Sequence, residues 1–550
     1  MSQQVDFLQA GIADDVAALA RDRLDPDRAR AAAHLARLFA AGIPAAELEG
    51  ADPHMIYGAV LGLLGFMRAR PPAAAKLRVF DPDLEQHGWV SPRTVIEIVN
   101  DDMPFLVDSV AIELARRNVA IHRLIHPVLP VRRSADGVLT DLAPPDGPAE
   151  SLMHLEIDRQ PRDRHGELAE ALHAVLGQVR LAVSHWPAMR ERIKAVAAET
   201  AELDRGDAPE ATAFLDWLHD DHFTFLGYRC FDFRDDGELQ VAFDMADCLG
   251  ILTDPDSRVF DPSLQLAAMP AEVRSFIRRP ELLLVTKSAR VSAIHRPAHM
   301  DVIGVKRVGP GGAVIGLHAF LGLFTAAAYT RNPAGIPLLR RKVEGVRERA
   351  GFPPFGHDDK ALVNILETFP RDELFQISED ALLTTALGIL RLQERPRPAL
   401  FMRRDEFERF VSCLVFLPRD RYDTPLRLAV QRLLEQALGG EVDGYYTQVT
   451  DAPLARLHII VRTIPGAIGK ADVRELEQRI AEAARSWSDH LQDALIQAHG
   501  EADGLALAQR YGDAFPVAYR ERHAVVAAVA DVDRIEAVLA GDDIALTLYR

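Results

Sequence analysis

Residues 94–110 read TVIEIVNDDMPFLVDSV, and this stretch decides the fold that we expect around it. The apolar run Thr94–Val99 is short, which is typical of a buried strand. Asn100–Pro104 predicts a turn into a helix, with an Asp near the N-cap and a Pro in the first turn. Apolar residues then repeat at helical spacing, at Leu106, Val110 and Leu114. A strand that leads directly into a helix is therefore the first pair of elements.

Outward from this stretch, the pattern predicts two more strands and a second helix. Val119–Val131 favours a strand, and its prolines indicate an edge or a bulge. Apolar and polar residues alternate in Leu152–Asp158, as in an antiparallel strand with one face in solvent. Gly166–Val183 has helical spacing. The order β-α-β-β-α makes up most of a ferredoxin-like unit.

The same order of elements recurs in the second half of the chain, with little residue identity. The predicted strand, helix, two strands and helix occupy Phe407–Leu417, Asp423–Gly440, Val442–Val449, Ala455–Val461 and Ala471–Ala484. Asp423-Thr424-Pro425 starts the first of these helices, and Gly439-Gly440 ends it, as residues in the left-handed conformation often do. We therefore expect two copies of one architecture.

Around these copies the pattern changes between β-rich and helical. His222–Phe233 is aromatic and strand-like, whereas Ile336–Gln393 has helical spacing. We predict an α+β multidomain chain with a helical segment at 1–90, a first ferredoxin-like domain at 91–195, a β-rich domain at 205–330, a helical connector at 331–400, a second ferredoxin-like domain at 401–500 and the start of a truncated third unit at 510–550.

Composition bounds the class of protein. Hydrophobic residues make up 48% and charged residues 26% of the 550 residues, as in globular proteins. The net charge of −18 argues against nucleic acid or an anionic membrane as a partner. No apolar run reaches the ~18–20 residues of a membrane helix, and the N-terminus has acids where a secretory signal has basic residues. Because the chain has three cysteines and no CxxC motif, we expect a cytoplasmic protein without a disulfide framework.

Four motifs suggest chemistry but favour structural roles. Gly309–Gly312 does not fit the dinucleotide-binding pattern, and its strand-like flanks predict a hairpin turn. His219–His222 and His295–His299 have metal-ligand residue types but no third ligand at a sensible spacing, so we expect no metal site. The basic segment Arg340–Arg349 suits an anionic ligand, but salt bridges between domains are the simpler explanation.

The turn Asp101-Asp102-Met103-Pro104-Phe105 is the most promising binding site. A strand-to-helix turn presents backbone N–H groups and the positive end of a helix dipole, which suit a carboxylate. The acids suit an α-ammonium, so a free amino acid can be held at both ends. Plain helix capping explains the same residues from spacing alone. The candidate ligand-binding residues are Asp101, Asp102, Phe105 and Asp108.

Longer motifs carry a resemblance to one family. They are DDMPFLVDSV at 101–110, HPVL at 126–129, ESLMHLEIDR at 150–159, HFTFLGY at 222–228, HRP at 295–297, FLGLFT at 320–325, IPLLRRKV at 336–343, LETFPRDELF at 366–375 and PRDRY at 418–422. In this order they resemble the N-terminal region of the large bacterial NAD-specific glutamate dehydrogenases, from about residue 90 onward.

The resemblance implies ACT-type domains for the two ferredoxin-like units, in the order βαββαβ, with a PAS-like insertion at 205–330 and helical connectors. ACT domains often bind amino acids. The family reaction converts L-glutamate, NAD and water to 2-oxoglutarate, ammonium and NADH, on a Rossmann domain and lysines outside this range. We therefore expect NAD on the full-length enzyme, no cofactor on this segment and no catalytic residue here. The expected partners are further copies of the chain, a free amino acid and the catalytic domain of the same protein.

Three functions are compatible with this sequence. The first is the regulatory and oligomerisation region of a glutamate dehydrogenase, with the catalytic half absent through natural truncation or because the chain is a fragment. The second is a stand-alone amino-acid sensor without catalysis, and the third is an oligomerisation scaffold without a ligand. Substitution of Asp102 and Asp108 separates a sensor from a scaffold.

Overall fold

Residues 2–235, 239–255, 279, 281–469, 471–541, 544 and 546 are described by a computed structural model that divides into two units. The first unit comprises residues 1–267 and 280–331, and the second comprises residues 268–279 and 332–550. None of the helices in the described ranges combines the length and the apolar character that crossing a bilayer requires.

The first unit contains two antiparallel sheets and their helices. The helices are α1 Ser2–Arg23, α2 Pro26–Ala41, α3 Ala45–Leu48, α4 Pro53–Met67, α5 Leu84–His87, α6 Leu106–Arg116, α7 His165–Ser184, α8 Trp186–Ala201, α9 Ala208–Trp217 and α10 Ala326–Thr330. The strands are β1 Lys76–Phe80, β2 Thr94–Asp101, β3 Ile121–Ile125, β4 Val128–Arg133, β5 Leu139–Leu142, β6 Ala149–Ile157, β7 Phe223–Asp235, β8 Leu239–Ala242, β9 Leu249–Gly250, β10 Leu283–Val291, β11 His299–Val308 and β12 Val314–Phe324.

The first sheet has the strand order β1-β2-β6-β4-β5, and β3 also pairs with β6. β3 and β4 pair with neighbouring stretches of β6, since Leu124 lies opposite Leu155 whereas Leu129 lies opposite Glu150. They therefore behave as one strand that is interrupted at Pro127, which lacks the N–H that a ladder needs.

The strand that completes this ferredoxin-like sheet comes first in the chain. β1 pairs antiparallel with β2, at the edge where the last strand of a βαββαβ unit would lie. The order along the chain is ββαββα, so the predicted βαββαβ order is wrong. An edge strand needs only one hydrogen-bonded ladder, and an antiparallel strand that precedes β2 supplies it as well as one that follows α7.

Both faces of β2 are buried, which explains its unbroken apolar run. Ile96 and Ile98 belong to the apolar core around α6 and α7, whereas Val95 and Val99 belong to the core formed with α1, α2 and α4. A strand covered on both sides has no need of polar alternation.

The polar residues that alternate in β6 are buried, so the prediction that they face solvent is wrong. His154 Nδ1 lies 3.2 Å from Glu97 Oε1, and Glu156 pairs with Arg123. The N-terminal helices cover this face of the sheet, and the polar side chains pair with one another, although His154 Nε2 has no hydrogen-bond partner among the described residues.

A second antiparallel sheet has the strand order β10-β11-β12-β7-β8, with β9 beside β7. The connection between β11 and β12 is the predicted hairpin turn, and the Gly309 N–H donates to the Ala313 carbonyl over 2.8 Å. This sheet shares one apolar core with α6 and α7, whose buried members include Leu106, Val110, Leu172, Leu226, Ile294, Leu321 and Leu323. The second sheet and the helices of the first therefore bury each other's apolar side chains.

The second unit contains a four-stranded sheet and helices before and after it. The helices are α11 Leu339–Ala350, α12 His357–Thr368, α13 Arg371–Gln376, α14 Glu379–Glu394, α15 Thr424–Leu438, α16 Val473–Ala483, α17 Trp487–His499, α18 Glu501–Tyr511, α19 Val517–Arg522 and α20 Val525–Leu539. The strands are β13 Ala399–Arg404, β14 Phe410–Pro418, β15 Glu441–Gln448 and β16 Leu454–Arg462.

The sheet of the second unit repeats the rearranged topology of the first. Its order is β13-β14-β16-β15, and β13 supplies the edge beside β14 before the helices follow. The predicted helix start is confirmed, because the Asp423 side chain accepts the Leu426 N–H over 2.8 Å. The predicted end is also confirmed, since Gly439 has φ +67°.

The C-terminal part of the described chain is helical. Helices α19 and α20 lie within 510–550. Ala528 and Val532 of α20 share a core with Leu491 and Leu495 of α17. A ferredoxin-like unit would begin with a strand here, so the predicted third unit is wrong for residues 510–541. The last residues of the predicted unit, 547–550, lie outside the described residues.

The shared core of the first unit predicts that its two sheets lose stability together. We expect Leu321→Ala, in β12, to lower the free energy of unfolding by about 2–5 kcal/mol because it opens a cavity in that core. Hydrogen exchange should then become faster in α7 as well as in β12. Leu457→Ala, in the core of the second unit, is the matched control and should leave α7 unchanged. Unchanged exchange in α7 with Leu321→Ala would show that the sheets unfold separately.

Candidate functional site

The strand β2 ends at the predicted binding turn, and α6 begins at Leu106 without a side-chain cap. Phe105 precedes the helix with φ +74°, in the left-handed region that non-glycine residues rarely adopt. The Asp102 N–H donates to the Ala149 carbonyl over 3.0 Å, which ties the turn to β6. The prediction that an Asp caps the helix is therefore wrong. The prediction that Pro104 lies in the first turn of the helix is also wrong, because Pro104 precedes Leu106.

Asp101 is held by two arginines that come from opposite faces of the sheet. Arg70, which follows α4, donates to one carboxylate oxygen, and Arg180 of α7 donates to the other over 2.6 Å. Burial alone would raise the pKa of Asp101, but the hydrogen bonds and charges of both arginines outweigh it and keep the pKa below its usual value. The Asp101 carboxylate therefore has a structural partner on each side.

Glu150 extends this ion pair into a buried network. Arg133 binds Glu150 through two hydrogen bonds, Nε to Oε1 at 2.6 Å and Nη2 to Oε2 at 2.8 Å. Arg70 also donates to Glu150 Oε1 over 3.0 Å, and both Arg70 and Glu150 are buried. Such a network is stable only as a complete set, because removal of one partner leaves a buried charge unpaired.

The other predicted site residues lie on the outer side of the turn. Asp102 and Asp108 are exposed and Phe105 is half-buried. The Phe105 ring packs against His295, with ring centroids 4.9 Å apart, and Asp108 Oδ2 lies 3.7 Å from His295 Nδ1. Phe105 and Asp108 thus meet at one histidine.

Asp102 lies near a different histidine. Burial lowers the pKa of His126, and the negative charge of Asp102 partly opposes this. His126 Nε2 lies 2.6 Å from the hydroxyl of Ser151. Around the turn lie two exposed carboxylates, the uncapped N-terminus of a helix and the three half-buried rings of Phe105, His126 and His295. Together they have the chemistry to hold an ammonium and a carboxylate.

The corresponding turn of the second unit differs. Asp423 caps α15, and Arg421 pairs with Asp489. A surface groove of about 440 Å³ lies beside it, lined by Pro398, Pro418, Arg421, Gln478, Ala481, Glu482, Ala484 and Arg485. The two copies therefore present different chemistry at the same place in the fold.

The histidine pairs of the sequence have structural contacts. His222 Nδ1 lies 2.8 Å from the Trp217 carbonyl, and His299 Nδ1 lies 2.9 Å from the Ser288 carbonyl. Among the described residues, no three His, Cys, Asp or Glu side chains converge as a metal site requires. His295 is the histidine of these pairs that contacts the predicted binding residues.

The basic segment Arg340–Arg349 lies on α11 and is bound to neighbouring helices. Arg347 pairs with Asp359, with Nη2 3.1 Å from Oδ1, and Arg349 lies 3.0 Å from Glu379 Oε1. Lys342 donates to the carbonyls at the C-terminal end of α13, with Nζ 2.8 Å from the Phe375 oxygen, and burial lowers its pKa to about 8. The salt bridges of Arg347 and Arg349 therefore join α11 to α12 and α14, as neighbouring helices, whereas the sequence predicted salt bridges between domains.

Family models describe most of these elements. The model "Glutamate dehydrogenase, ACT1 domain" matches residues 35–172, and "Glutamate dehydrogenase, ACT2 domain" matches residues 399–488. The models "Glutamate dehydrogenase, helical motif 1" and "Glutamate dehydrogenase, helical motif 2" match residues 336–395 and 494–538. The ACT models cover the two ferredoxin-like sheets.

Three relatives bear the same name, NAD-specific glutamate dehydrogenase. The protein of Halomonas elongata is 39% identical over 545 residues, which cover 96% of this chain and 34% of the relative. The protein of Pseudomonas aeruginosa is 36% identical over 490 residues (86% and 30%), and that of Mycobacterium tuberculosis is 29% identical over 467 residues (80% and 27%). The chain spans about a third of the length of these relatives. It belongs to the NAD-specific glutamate dehydrogenase family.

The family match extends and corrects the resemblance seen in the motifs. The ACT1 model begins at residue 35, within α2, whereas the motifs resemble the family from about residue 90. The motif 2 model covers α18 and α19, so the family has helices where the sequence predicted a third ACT-type unit. Two ACT domains and two helical motifs are therefore the matched parts of this chain.

Several residues around the ACT1 turn were missed by sequence reasoning. Arg70 and Arg180 are far from Asp101 in sequence, and nothing local predicts their pairing with it. His295 was noticed as part of a histidine pair and of the HRP motif at 295–297, but its contact with Asp108 joins distant parts of the chain and was not predicted.

We expect Asp101→Asn to destabilise the ACT1 domain by about 1–3 kcal/mol at neutral pH. This loss is smaller than that for a fully buried ion pair, because Asp101 is partly exposed. The pKa of Asp101 is lowered in the folded state, so its stabilisation is present above the unfolded pKa and is lost as the pH falls through the folded pKa. The difference between wild type and variant should therefore shrink below about pH 4. Denaturant unfolding of both proteins at neutral pH and below about pH 4 measures this difference in the free energy of unfolding. Asp102→Asn, at an exposed neighbour, is the control, and an equal loss there would contradict a special role for Asp101.

Proposed function

We propose that this chain is the regulatory and oligomerisation region of a cytoplasmic NAD-dependent glutamate dehydrogenase. The full-length enzyme would convert L-glutamate, NAD and water to 2-oxoglutarate, ammonium and NADH, with catalysis and NAD binding outside this range. The family match supports the identity of the enzyme, and the ACT domains support regulation. The observation that carries the regulatory role is the outward-facing turn Asp102–Asp108.

The ACT1 turn is proposed to bind a free amino acid. Asp102 and Asp108 are exposed and suit an α-ammonium, while the first N–H groups of α6 have no side-chain cap and suit an α-carboxylate. Phe105 lies between these groups in sequence and offers an apolar surface. Asp101 is bound to Arg70 and Arg180, so its proposed role is to position the turn.

The remaining domain assignments stay proposals. The sheet within 205–330 has its first and last long strands, β7 and β12, paired at the centre, which supports a PAS-like domain. The proposed partners are further copies of the chain and the catalytic domain of the same protein.

A scaffold without a ligand is the second candidate function. The edge strand β15 carries Tyr445 and Tyr446, whose exposed fractions are 46% and 62%, and this unpaired edge suits strand pairing between copies. A stand-alone amino-acid sensor without catalysis makes the same predictions for ligand binding as the regulatory region does.

Amino-acid binding separates a sensor from a scaffold. We expect at least one of the common L-amino acids to raise the thermal midpoint of the chain, because a ligand that binds only the folded state stabilises it. The double variant Asp102→Asn with Asp108→Asn should abolish this shift. Asp136→Asn, which is exposed and distant in sequence, is the matched control and should retain it. If no amino acid shifts the midpoint, sensing is wrong and the scaffold is supported.

Catalysis is tested by the absorbance of NADH with the purified chain, L-glutamate and NAD. We expect no NADH, because a hydride transfer needs a dinucleotide site and no such motif occurs in this range. NADH formation by the chain alone would place a nicotinamide site here and contradict a purely regulatory role.

A further inference from the structure

Arg456 lies on the face of the ACT2 sheet that is turned away from the core of that domain. Successive side chains of a strand point to opposite faces, and Leu457, Ile459 and Val461 of β16 belong to the core. Arg456 and His458 therefore lie on the opposite face, which we call the outer face of the ACT2 sheet.

The connector helices cover part of this outer face. A Cβ atom on Gly388, in α14, would lie 2.5 Å from the ring of Phe401 in β13, so this helix lies directly against the sheet. The edge strand β15 is less covered, because Tyr446, which lies opposite His458, is 62% exposed. The outer face is therefore open on the side of β15.

Arg456 lies between the covered side and the open side. In the register of the sheet it is opposite Phe416 of β14 and opposite Gln448 of β15. Phe416 is buried, whereas Arg456 and Gln448 are half-buried. The neighbours of Arg456 across the sheet are therefore an aromatic residue and a neutral amide, and neither carries a negative charge.

The protein supplies no carboxylate to Arg456. Two other arginines of this sheet have such partners, since Arg403 pairs with Glu373 and Arg462 pairs with Glu441. Arg456 has neither an ion pair nor a hydrogen bond within the described chain. The sheet therefore holds one half-buried cation whose charge is not compensated.

Such a cation costs free energy, and an anion can offset that cost. Burial lowers the pKa of Arg456 to about 10. A desolvated charge without a partner is destabilising, whereas pairing with an opposite charge compensates it. A guanidinium presents N–H groups in a fork that fits both oxygens of a carboxylate. Gln448, whose side chain has no hydrogen bond in the described chain, can donate a further N–H.

We infer that the outer face of the ACT2 sheet binds a small organic acid through Arg456. The carboxylate of the acid accepts two N–H groups from Arg456 and one from the Gln448 amide. Tyr446, on the same face of β15, offers its exposed ring to the carbon skeleton of the acid. This site goes beyond the proposed function, because it needs neither the ACT1 turn nor an α-ammonium.

The test compares thermal midpoints of the chain with acetate, succinate, citrate and inorganic phosphate, as sodium salts at the ionic strength of a sodium chloride reference. We expect at least one organic acid to raise the midpoint more than phosphate does, because phosphate has no carbon skeleton for Tyr446. Arg456→Met, which removes the charge, should weaken binding of that acid about tenfold or more. Arg462→Met, on the same strand and face, is the matched control and should retain the affinity.

The unliganded proteins supply a second measurement. We expect Arg456→Met to have a thermal midpoint equal to or above that of wild type, because it removes a half-buried charge that has no partner. If Arg456→Met does not fold, Arg456→Lys takes its place. Lysine keeps the charge but lacks the fork, so it should also bind the acid more weakly.

Several results would overturn the inference. They are no stabilisation of wild type by any of the three acids, full affinity in a folded Arg456 variant, an equal loss in Arg462→Met, and a shift with phosphate as large as with the acids. Sedimentation velocity without added acid tests a second copy of the chain as the source of the carboxylate, and wild-type oligomers that Arg456→Met dissociates would also overturn the inference. Because these acids have no ammonium, each of these failures leaves amino-acid binding at the ACT1 turn standing.

Discussion

The carboxylate of Asp101 is shared between arginines from opposite faces of the first sheet, and the rest of the site depends on this contact. Arg70 follows the N-terminal helices and Arg180 belongs to α7, so one side chain at the end of β2 fixes that strand end relative to both helical layers. Arg70 and Glu150 at its centre are buried, and the network, which contains more arginines than acids, holds together only when every partner is present. These contacts therefore fix the end of β2 at the point where the chain turns into α6.

This anchoring explains how the turn tolerates strain and exposes its acids. Phe105 adopts a left-handed conformation, which costs roughly 1–3 kcal/mol and persists only where the framework fixes it. Asp101 takes the inward position, so Asp102 and Asp108 lie on the outer side. If the turn only capped its helix, one of these carboxylates would accept a backbone N–H of that helix. Asp423 does this in the second copy, where it accepts the Leu426 N–H.

Elements with a local signal were predictable, and those that depend on distant partners were not. The β2-to-α6 connection and the cap of α15 follow from neighbouring residues, and both were predicted as elements. Strand β1 was missed because a short edge strand has little periodicity of its own. The alternation in β6 was read as contact with solvent, since a pattern cannot distinguish water from a second layer with polar partners. Residues 510–550 were expected to begin a third unit, whereas Ala528 and Val532 of α20 pack against α17 in a helical core that only distant residues specify.

The two copies differ at the start of the helix that follows the first long strand. In the second copy the start of α15 is satisfied by Asp423, so its N–H groups have less to offer a carboxylate. In the first copy the start of α6 has no side-chain cap, and a rigid loop of the second sheet stands beside it. That loop, which connects β10 to β11 through residues 292–298, contributes Ile294 to the core shared with α6 and α7. Because close-packed cores resist gradual deformation, this shared packing holds the loop beside α6.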